Sequence, residues 1–439
     1  MIRHHDAIRA YLNEVCSRIR AREAHRDIRR ELESHLEELV LERETAGASR
    51  DEAVGWAVQQ MGSATEVGDK LHRIHRPRIH WGLLAGVLLF LSLGILAMYT
   101  VEAGTTAEFK VRYMQRTLVY ASVGLLVMTG LYFFNYAKLR KYSMAIYVVT
   151  VCGIIGTQIF GAQVNGLKYW HIASFTLDWV GISPYLLIIS APGLLMKWRK
   201  QNRFWLRALL AFFVIPAVLF MLVSSLSNLL LYMTGYLILL IFVTGGFKAT
   251  LAHGAAMAVA FTLLIASNPH SYILNRLFAF LNAADDPRGA GYVYMMLDSV
   301  LKSAGWLGHG ISAPAGLRLP GIATDNVLAY LIYCFGWWFG IAVLFCFVYF
   351  IGRLVHSNRA VTDPYGQLLS AAVAGMLGFQ MLYCFMMPFG WVPFLGIPFP
   401  FLSYGGSHLL VEMAVVGLLL GIYRRKDLLR ISDSQAIED

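Results

Sequence analysis

From Trp81 onward the chain returns again and again to uncharged apolar runs, each near the roughly 20 residues a helix needs to cross a hydrocarbon core. Ten such runs are read, at 81–101, 116–134, 142–162, 178–196, 204–223, 226–246, 249–267, 326–352, 366–387 and 403–423. In lipid every backbone amide must find its partner inside the segment, so runs of this length predict helices. Of the 439 residues 57% are hydrophobic and 15% charged, against about 45–50% and about 25% in a soluble domain. An ordinary soluble enzyme is excluded, and the predicted fold is an all-α polytopic membrane protein.

Charge sets the expected topology. Residues 1–79 hold 14 Lys+Arg and 14 Asp+Glu, so the whole net excess of +10 lies in the apolar part and does not point to nucleic acid. Lys138, Arg140 and Lys141, then Lys197, Arg199, Lys200 and Arg203, then Arg353 and Arg359, and last Arg424, Arg425 and Lys426 fall in alternate connections. The positive-inside rule makes that side cytoplasmic and, with ten spans, puts both termini there. Cys152, Cys334, Cys346 and Cys384 sit in apolar runs and Cys16 in a polar helix, with no metal-like spacing, so they read as inert thiols.

Before the spans, residues 1–78 read as a small soluble helical domain with no signal-peptide pattern. Ile8, Leu12, Val15 and Ile19 form one helical stripe, and Ile28, Leu32, Leu36 and Leu39/Val40 a second. Ser49 with Glu52 and Ser63 with Glu66 are capping boxes that open a third and a fourth helix, the third ending near Gly62. The predicted organisation is 1–78 as a cytoplasmic prefix domain, 79–430 as the membrane domain and 431–439 as a tail. The prefix resembles the small helical domain that precedes some bacterial permeases, which implies regulation or assembly.

Three segments on the external side break the helical pattern. Asp286-Pro287-Arg288-Gly289-Ala290-Gly291-Tyr292 leads to Gly305-Trp306-Leu307-Gly308-His309-Gly310, where glycine permits tight turns. Leu319-Pro320-Gly321-Ile322-Ala323-Thr324-Asp325 brings a carboxylate to the start of a long apolar helix, where it reads equally as a cap. The Pro and Gly residues of 393–407 rule out continuous helix and predict a re-entrant turn beside a cavity. Glu412 lies deep in the last run, one helical turn from His408 as a candidate partner, and reads either as functional or as a structural contact. Asp178 reads as interfacial and His253 as a core histidine.

These motifs resemble the SEDS family of bacterial cell-wall proteins, the RodA, FtsW and SpoVE group. The family's "DP-x-GAGY", "GLFGKG", "LP-E-x-x-TDFIFA" and "GIPLPFISYGGSS" are matched by Asp286 to Tyr292, Trp306 to Gly310, Leu319-Pro320 with Thr324-Asp325, and Gly396 to Ser407. Asn165 to Trp170 is similar to "NGARRW", and Arg116 opens the second span. The resemblance implies a bacterial plasma-membrane enzyme that polymerises glycan strands from a lipid-linked muropeptide, with a single-span penicillin-binding transpeptidase as partner. It gives Asp325 the role of general base. Substrate contacts would come from Arg116, Lys168, Arg276, Arg288, Gly289, Gly291, Tyr292, Lys302, Arg318, Thr324, Pro400, Ser403, Gly405, Gly406 and Ser407. No bound cofactor is implied beyond a divalent cation, Mg or Mn, as an option for the leaving pyrophosphate.

The chain also departs from the pattern. Gly321 stands where the family has Glu, Asn326 where it has Phe, and Tyr333-Cys334-Phe335-Gly336 where it has "EELG"; Ile188 replaces a lysine, and Ser227-Asn228-Leu229 stands near "PDLGT". A non-catalytic scaffold and a lipid-precursor transporter are the alternatives these losses keep open.

Overall fold

The structure is a computed structural model that describes residues 5–20, 25–74, 79–104, 112–164, 167–172, 175–199, 201–244, 250–255, 258–259, 278–311 and 319–426. It divides into two compact units. One comprises the described parts of Met1–Ile79, Ala360–Pro364 and Ile422–Asp439, the other His80–Arg359 and Tyr365–Gly421.

In the first unit, helices α1 (Asp6–Arg18), α2 (His25–Thr45), α3 (Arg50–Gln60) and α4 (Ala64–Ile74) enclose one core. Its members include Ile8, Leu12, Val15, Ile19, Ile28, Leu32, Leu36, Val40, Val54 and Ala57, so both sequence stripes face inward. Ser49 and Glu52 close a reciprocal capping box at α3, with the Ser49 amide 3.1 Å from the Glu52 carboxylate. The Glu66 amide donates to Ser63 Oγ at 3.2 Å ahead of α4. Gly62, at φ +82°, makes the turn between them.

The second unit is built from α5 (Trp81–Gly104), α6 (Tyr113–Phe133), α7 (Ala137–Phe160), α8 (Trp179–Trp198), α9 (Phe204–Leu222), α10 (Leu226–Thr244), α11 (Tyr292–Ser303), α12 (Val327–Phe335), α13 (Trp337–Arg359), α14 (Pro364–Met386, continued by one 3₁₀ turn to Phe389) and α15 (Gly406–Arg424). Among the described residues nine of these are long and apolar enough to cross a membrane: α5 to α10 and α13 to α15. The protein is a multi-pass membrane protein. The predicted span at 249–267 lies largely outside the described residues.

Two of the prolines inside these helices are compensated locally. Pro216 in α9 has no N–H for the Phe212 carbonyl, and the Tyr232 hydroxyl donates to that carbonyl instead, at 2.7 Å. The Tyr147 hydroxyl donates to the neighbouring Ala211 carbonyl at 2.5 Å, and a π-helical turn at Leu210–Val214 absorbs the widened geometry. In α8, Pro184 leaves the Val180 carbonyl, which accepts from Ser183 Oγ at 2.7 Å.

Two features correct the sequence expectation. The run 326–352 is not one span but two helices, α12 and α13, divided at Gly336, which has φ +83°. The 305–310 turn stops α12 there: the His309 amide donates to the Tyr333 carbonyl at 3.1 Å, the Gly310 amide to Cys334 at 2.8 Å, and the Trp337 amide to the Gly305 carbonyl at 3.1 Å. The first two bonds satisfy the last carbonyls of a helix that composition alone would have continued, and the third satisfies the first amide of α13. The second feature is a small antiparallel sheet after α7, with β1 (Ala162–Val164), β2 (Leu167–Ile172) and β3 (Phe175–Leu177) in the order β1-β2-β3. Ala162 pairs with Tyr169, and Trp170 with Leu177.

Candidate active site

The re-entrant segment between α14 and α15 is irregular backbone inside a membrane domain, so its polar groups must be met by protein. One face of α14 meets them. The Tyr383 hydroxyl donates to the Pro393 carbonyl at 2.5 Å, Cys384 Sγ to Ile397 at 3.3 Å, and Gln380 Nε2 to Pro398 at 2.8 Å. The Phe394 amide donates to the Tyr294 hydroxyl of α11 at 2.5 Å. On α5, Gly94 is required where it stands, because a Cβ there would meet the Phe401 carbonyl and the Leu402 backbone.

The same segment grips the residues before α12. Ser403 Oγ donates to the Thr324 carbonyl at 2.6 Å and accepts from the Phe399 amide at 2.7 Å. The Tyr404 amide donates to the Ala323 carbonyl at 2.7 Å. Asn326 is fully buried, donates through Nδ2 to the Pro320 carbonyl at 2.8 Å and through its amide to Gly321 at 2.9 Å, and closes a tight turn over Gly321 at φ +66°. Asn326 therefore holds the N-cap position of α12, with half-buried Asp325 just before it. A Cβ built at Gly396, whose φ of +66° already favours glycine, would lie 3.4 Å from Asp325 Oδ2, so the carboxylate sits against the Gly396 backbone.

Around this centre the structure gathers several of the expected residues. Exposed Arg116 lies beside the Tyr404 side chain, whose ring stands edge-on to Tyr113 at 5.0 Å. Pro400 is buried within the segment, Gly405 is half-buried, and Gly406 backs onto the Tyr120 ring. Ser407 Oγ donates to the Thr176 carbonyl at 3.1 Å and accepts from the Asp178 amide at 3.2 Å, tying β3 to the start of α15.

Two pairings differ from the sequence reading. His408 pairs not with Glu412 on its own helix but with Asp178, Nε2 to Oδ2 at 3.1 Å. Asp178 caps the start of α8, accepting from the Gly181 amide at 2.8 Å, and Gly181 leaves room for both side chains. Burial pushes the Asp178 carboxyl upward, but the His408 hydrogen bond and charge and the Gly181 amide outweigh it and hold the group below its ordinary value. The Tyr169 phenol is raised, by burial first and then by the charges of Asp178 and Asp325, so both carboxylates act on the same strand residue. Glu412 instead accepts from the Phe401 amide and from Gln380.

Other expected contacts have structural partners of their own. Lys168 Nζ donates to the Gln158 carbonyl at 2.5 Å. Lys302 pairs with Asp298 at 2.8 Å, one turn along α11, and both line a cleft of about 990 Å³ with Trp306, Trp337 and Phe389. Asp286 closes the turn before α11, accepting from the Ala290 amide at 2.9 Å, and neither Gly289 nor Gly291 has space for a Cβ. Arg288 and Tyr292 are exposed beside that turn. Arg276 and Arg318 lie outside the described residues. His253 packs its ring against Trp205 and Tyr236. No group of three or more His, Cys, Asp or Glu able to hold a metal occurs among the described residues.

Gln380, Tyr383 and Tyr404 were not singled out from sequence. Gln380 carried a signal, as an amide in an otherwise apolar run; the two tyrosines carried none that sets them apart from belt aromatics.

A family model described as cell cycle protein, spanning FtsW, RodA and SpoVE, matches residues 80–428. The chain belongs to that family. Stage V sporulation protein E of Bacillus subtilis is 26% identical over 77% of this chain and 94% of its own length. A probable peptidoglycan glycosyltransferase FtsW of Trichlorobacter lovleyi is 24% identical over 77% and 92%, and the peptidoglycan glycosyltransferase RodA of Treponema pallidum 24% over 78% and 97%. Among solved structures, a chain of a peptidoglycan synthase complex coordinating polymerization and crosslinking superposes with a TM-score of 0.65 at 22% identity, covering 79% of this chain and 98% of that one. Thermus thermophilus RodA gives 0.58 at 20% identity, over 79% and 97%. These likenesses give the FtsW/RodA/SpoVE fold.

Proposed function

We propose that this chain is a peptidoglycan glycosyltransferase that adds lipid-linked disaccharide-pentapeptide units to a growing glycan strand, with Asp325 as general base. One observation carries the reading: the re-entrant segment binds the carbonyls of Ala323 and Thr324 and so fixes the backbone that presents Asp325. In the step, an acceptor sugar hydroxyl attacks the anomeric carbon, its proton passes to an Asp325 carboxylate oxygen, and the bond from that carbon to the pyrophosphate oxygen breaks. The electron pair leaves with the polyprenyl pyrophosphate. Positioned base catalysis of this kind contributes about 10²–10⁴-fold. Arg116, beside Tyr404, is the basic side chain assigned to meet the departing charge. No step is routed through a metal ion.

The partner that the family resemblance implies is a single-span penicillin-binding transpeptidase that crosslinks the product, and the likeness to a complex coordinating polymerization and crosslinking supports it. The alternate basic connections support a bacterial plasma-membrane location with both termini in the cytoplasm. A second reading, a scaffold without chemistry, draws on Tyr333 to Gly336 replacing the acidic residues of the family motif.

The test is glycan-strand formation from purified lipid-linked disaccharide-pentapeptide, with and without divalent cation and with a co-purified transpeptidase. Wild type is expected to form polymer, and Asp325→Ala at equal expression and thermal stability to lose at least about 10²-fold in rate, the lower bound for a positioned base. Absence of polymer from both proteins under every condition would favour the scaffold.

A further inference from the structure

Glu412 is 3% exposed in the second turn of α15, where an ionisable side chain buried in a membrane domain is costly and requires firm partners. Its Oε2 accepts from the Phe401 amide at 2.8 Å, and its Oε1 lies 3.4 Å from Gln380 Nε2. Gln380 is itself fixed: its Oε1 accepts from the Tyr185 hydroxyl at 2.5 Å, and its Nε2 donates to the Pro398 carbonyl.

The acceptor stands where the backbone most needs one. Phe401 adopts φ +62°, a left-handed conformation that a bulky residue rarely takes, and it persists only where the surroundings fix it. Its ring is buried, and its amide would be left without a partner if Glu412 were apolar. Two residues later the same turn reaches Ser403 and then Tyr404, which bind the Thr324 and Ala323 carbonyls next to Asp325. A continuous path of hydrogen bonds and short backbone therefore runs from the Glu412 carboxylate to the Asp325 backbone.

We propose that Glu412 is a positioning residue for Asp325: it holds the Phe401 turn in its left-handed form, and through Ser403 and Tyr404 that turn sets where the Asp325 carboxylate stands. The proposal rests on the reading of Asp325 as general base. It requires an oxygen acceptor at position 412 rather than a negative charge.

Polymerisation kinetics of the full chain test this with Glu412→Gln, Glu412→Leu, Ser403→Ala, the Glu412→Leu/Ser403→Ala double variant and Asp325→Asn, each alongside a melting curve. Glu412→Leu is expected to lower kcat by about 30–100-fold with KM within about threefold, since a displaced group of about 1 Å costs about that much. Glu412→Gln keeps an oxygen for the Phe401 amide and is expected to hold kcat within about fivefold of wild type. Ser403→Ala, a later link in the same path, is expected to lower kcat alone, and the double variant to fall well short of the product of the single losses. Equal loss in Gln and Leu would overturn the proposal, because charge would then be the property that matters; so would an unchanged kcat in Glu412→Leu, or full multiplicativity in the double variant. Should Glu412→Leu fail to fold, retention in Glu412→Gln together with a kcat-only loss in Ser403→Ala supports the path, and either result reversed overturns it. If Asp325→Asn keeps activity, the base reading itself fails; if it loses activity while the other variants do not, only the positioning role fails.

Discussion

At the scale of single residues, the ionic contacts show what spacing along one helix leaves undecided. His408 and Glu412 stand four residues apart, the spacing at which helical side chains meet, yet each finds a better partner on another element. His408 reaches Asp178, 230 residues away in sequence, and Glu412 reaches the Phe401 amide. The sequence singled out Asp178, His408 and Glu412 because charge is rare in apolar runs; only packing could decide who pairs with whom. The Asp178 pair has a pH signature. Its carboxyl lies below the ordinary value of 3.8 in the folded protein, so it contributes stability above that value and loses it as pH falls through the lowered one. Melting curves of the detergent-solubilised chain taken from neutral pH downward are expected to show a smaller acid-side fall in Asp178→Asn than in wild type. An identical fall in both would remove Asp178 from the acid response.

At the scale of elements, the division between α12 and α13 was hidden because the run from Asn326 to Phe350 is apolar on both sides of Gly336. Hydropathy reports length and solvent, and a single glycine inside such a run carries no signature of a break. What breaks it is tertiary: the Trp306 carbonyl and the Gly308 amide crowd the space a Cβ at Gly336 would take. The small sheet after α7 was missed for a related reason, since strands of three and six residues give too little alternation to detect. Two glycines at positive φ differ in what surrounds them. Gly310 and Gly336 have similar φ, +87° and +83°, but a Cβ at Gly310 meets open space. Gly310→Ala is expected to cost about 1–2 kcal/mol, the left-handed penalty alone. Gly336 stands at ψ 178°, a region essentially only glycine occupies, and Gly336→Ala also adds backbone overlap, so its cost is expected to exceed that of Gly310→Ala by about 1–3 kcal/mol. Denaturation curves of the two variants compare them directly, and equal costs would mean that the 305–310 turn yields freely.

At the scale of the whole molecule, the membrane class and most spans were legible, because lipid imposes a length and a polarity that composition records directly. The candidate site was legible in part: the motifs located Asp325 and the 393–407 segment, while the hydrogen bonds joining them run between positions far apart in sequence. Orientation follows from parity. If the Lys138 to Lys141 connection is cytoplasmic, successive crossings put 199–203 inside and the end of α10 inside again. Arg359 at the end of α13 reaches that same side only if an odd number of crossings lies between Thr244 and Trp337, which the sequence predicts as one at 249–267. Single cysteines introduced at Lys138, Gln201, Asn358, Arg288 and Trp391 test this on intact cells with a membrane-impermeant maleimide. Labelling is expected at 288 and 391 only, with the other three reacting after permeabilisation. Labelling at 358 together with 288 would require an even number of crossings before α13, and would reverse the face on which Asp325 and the re-entrant segment open.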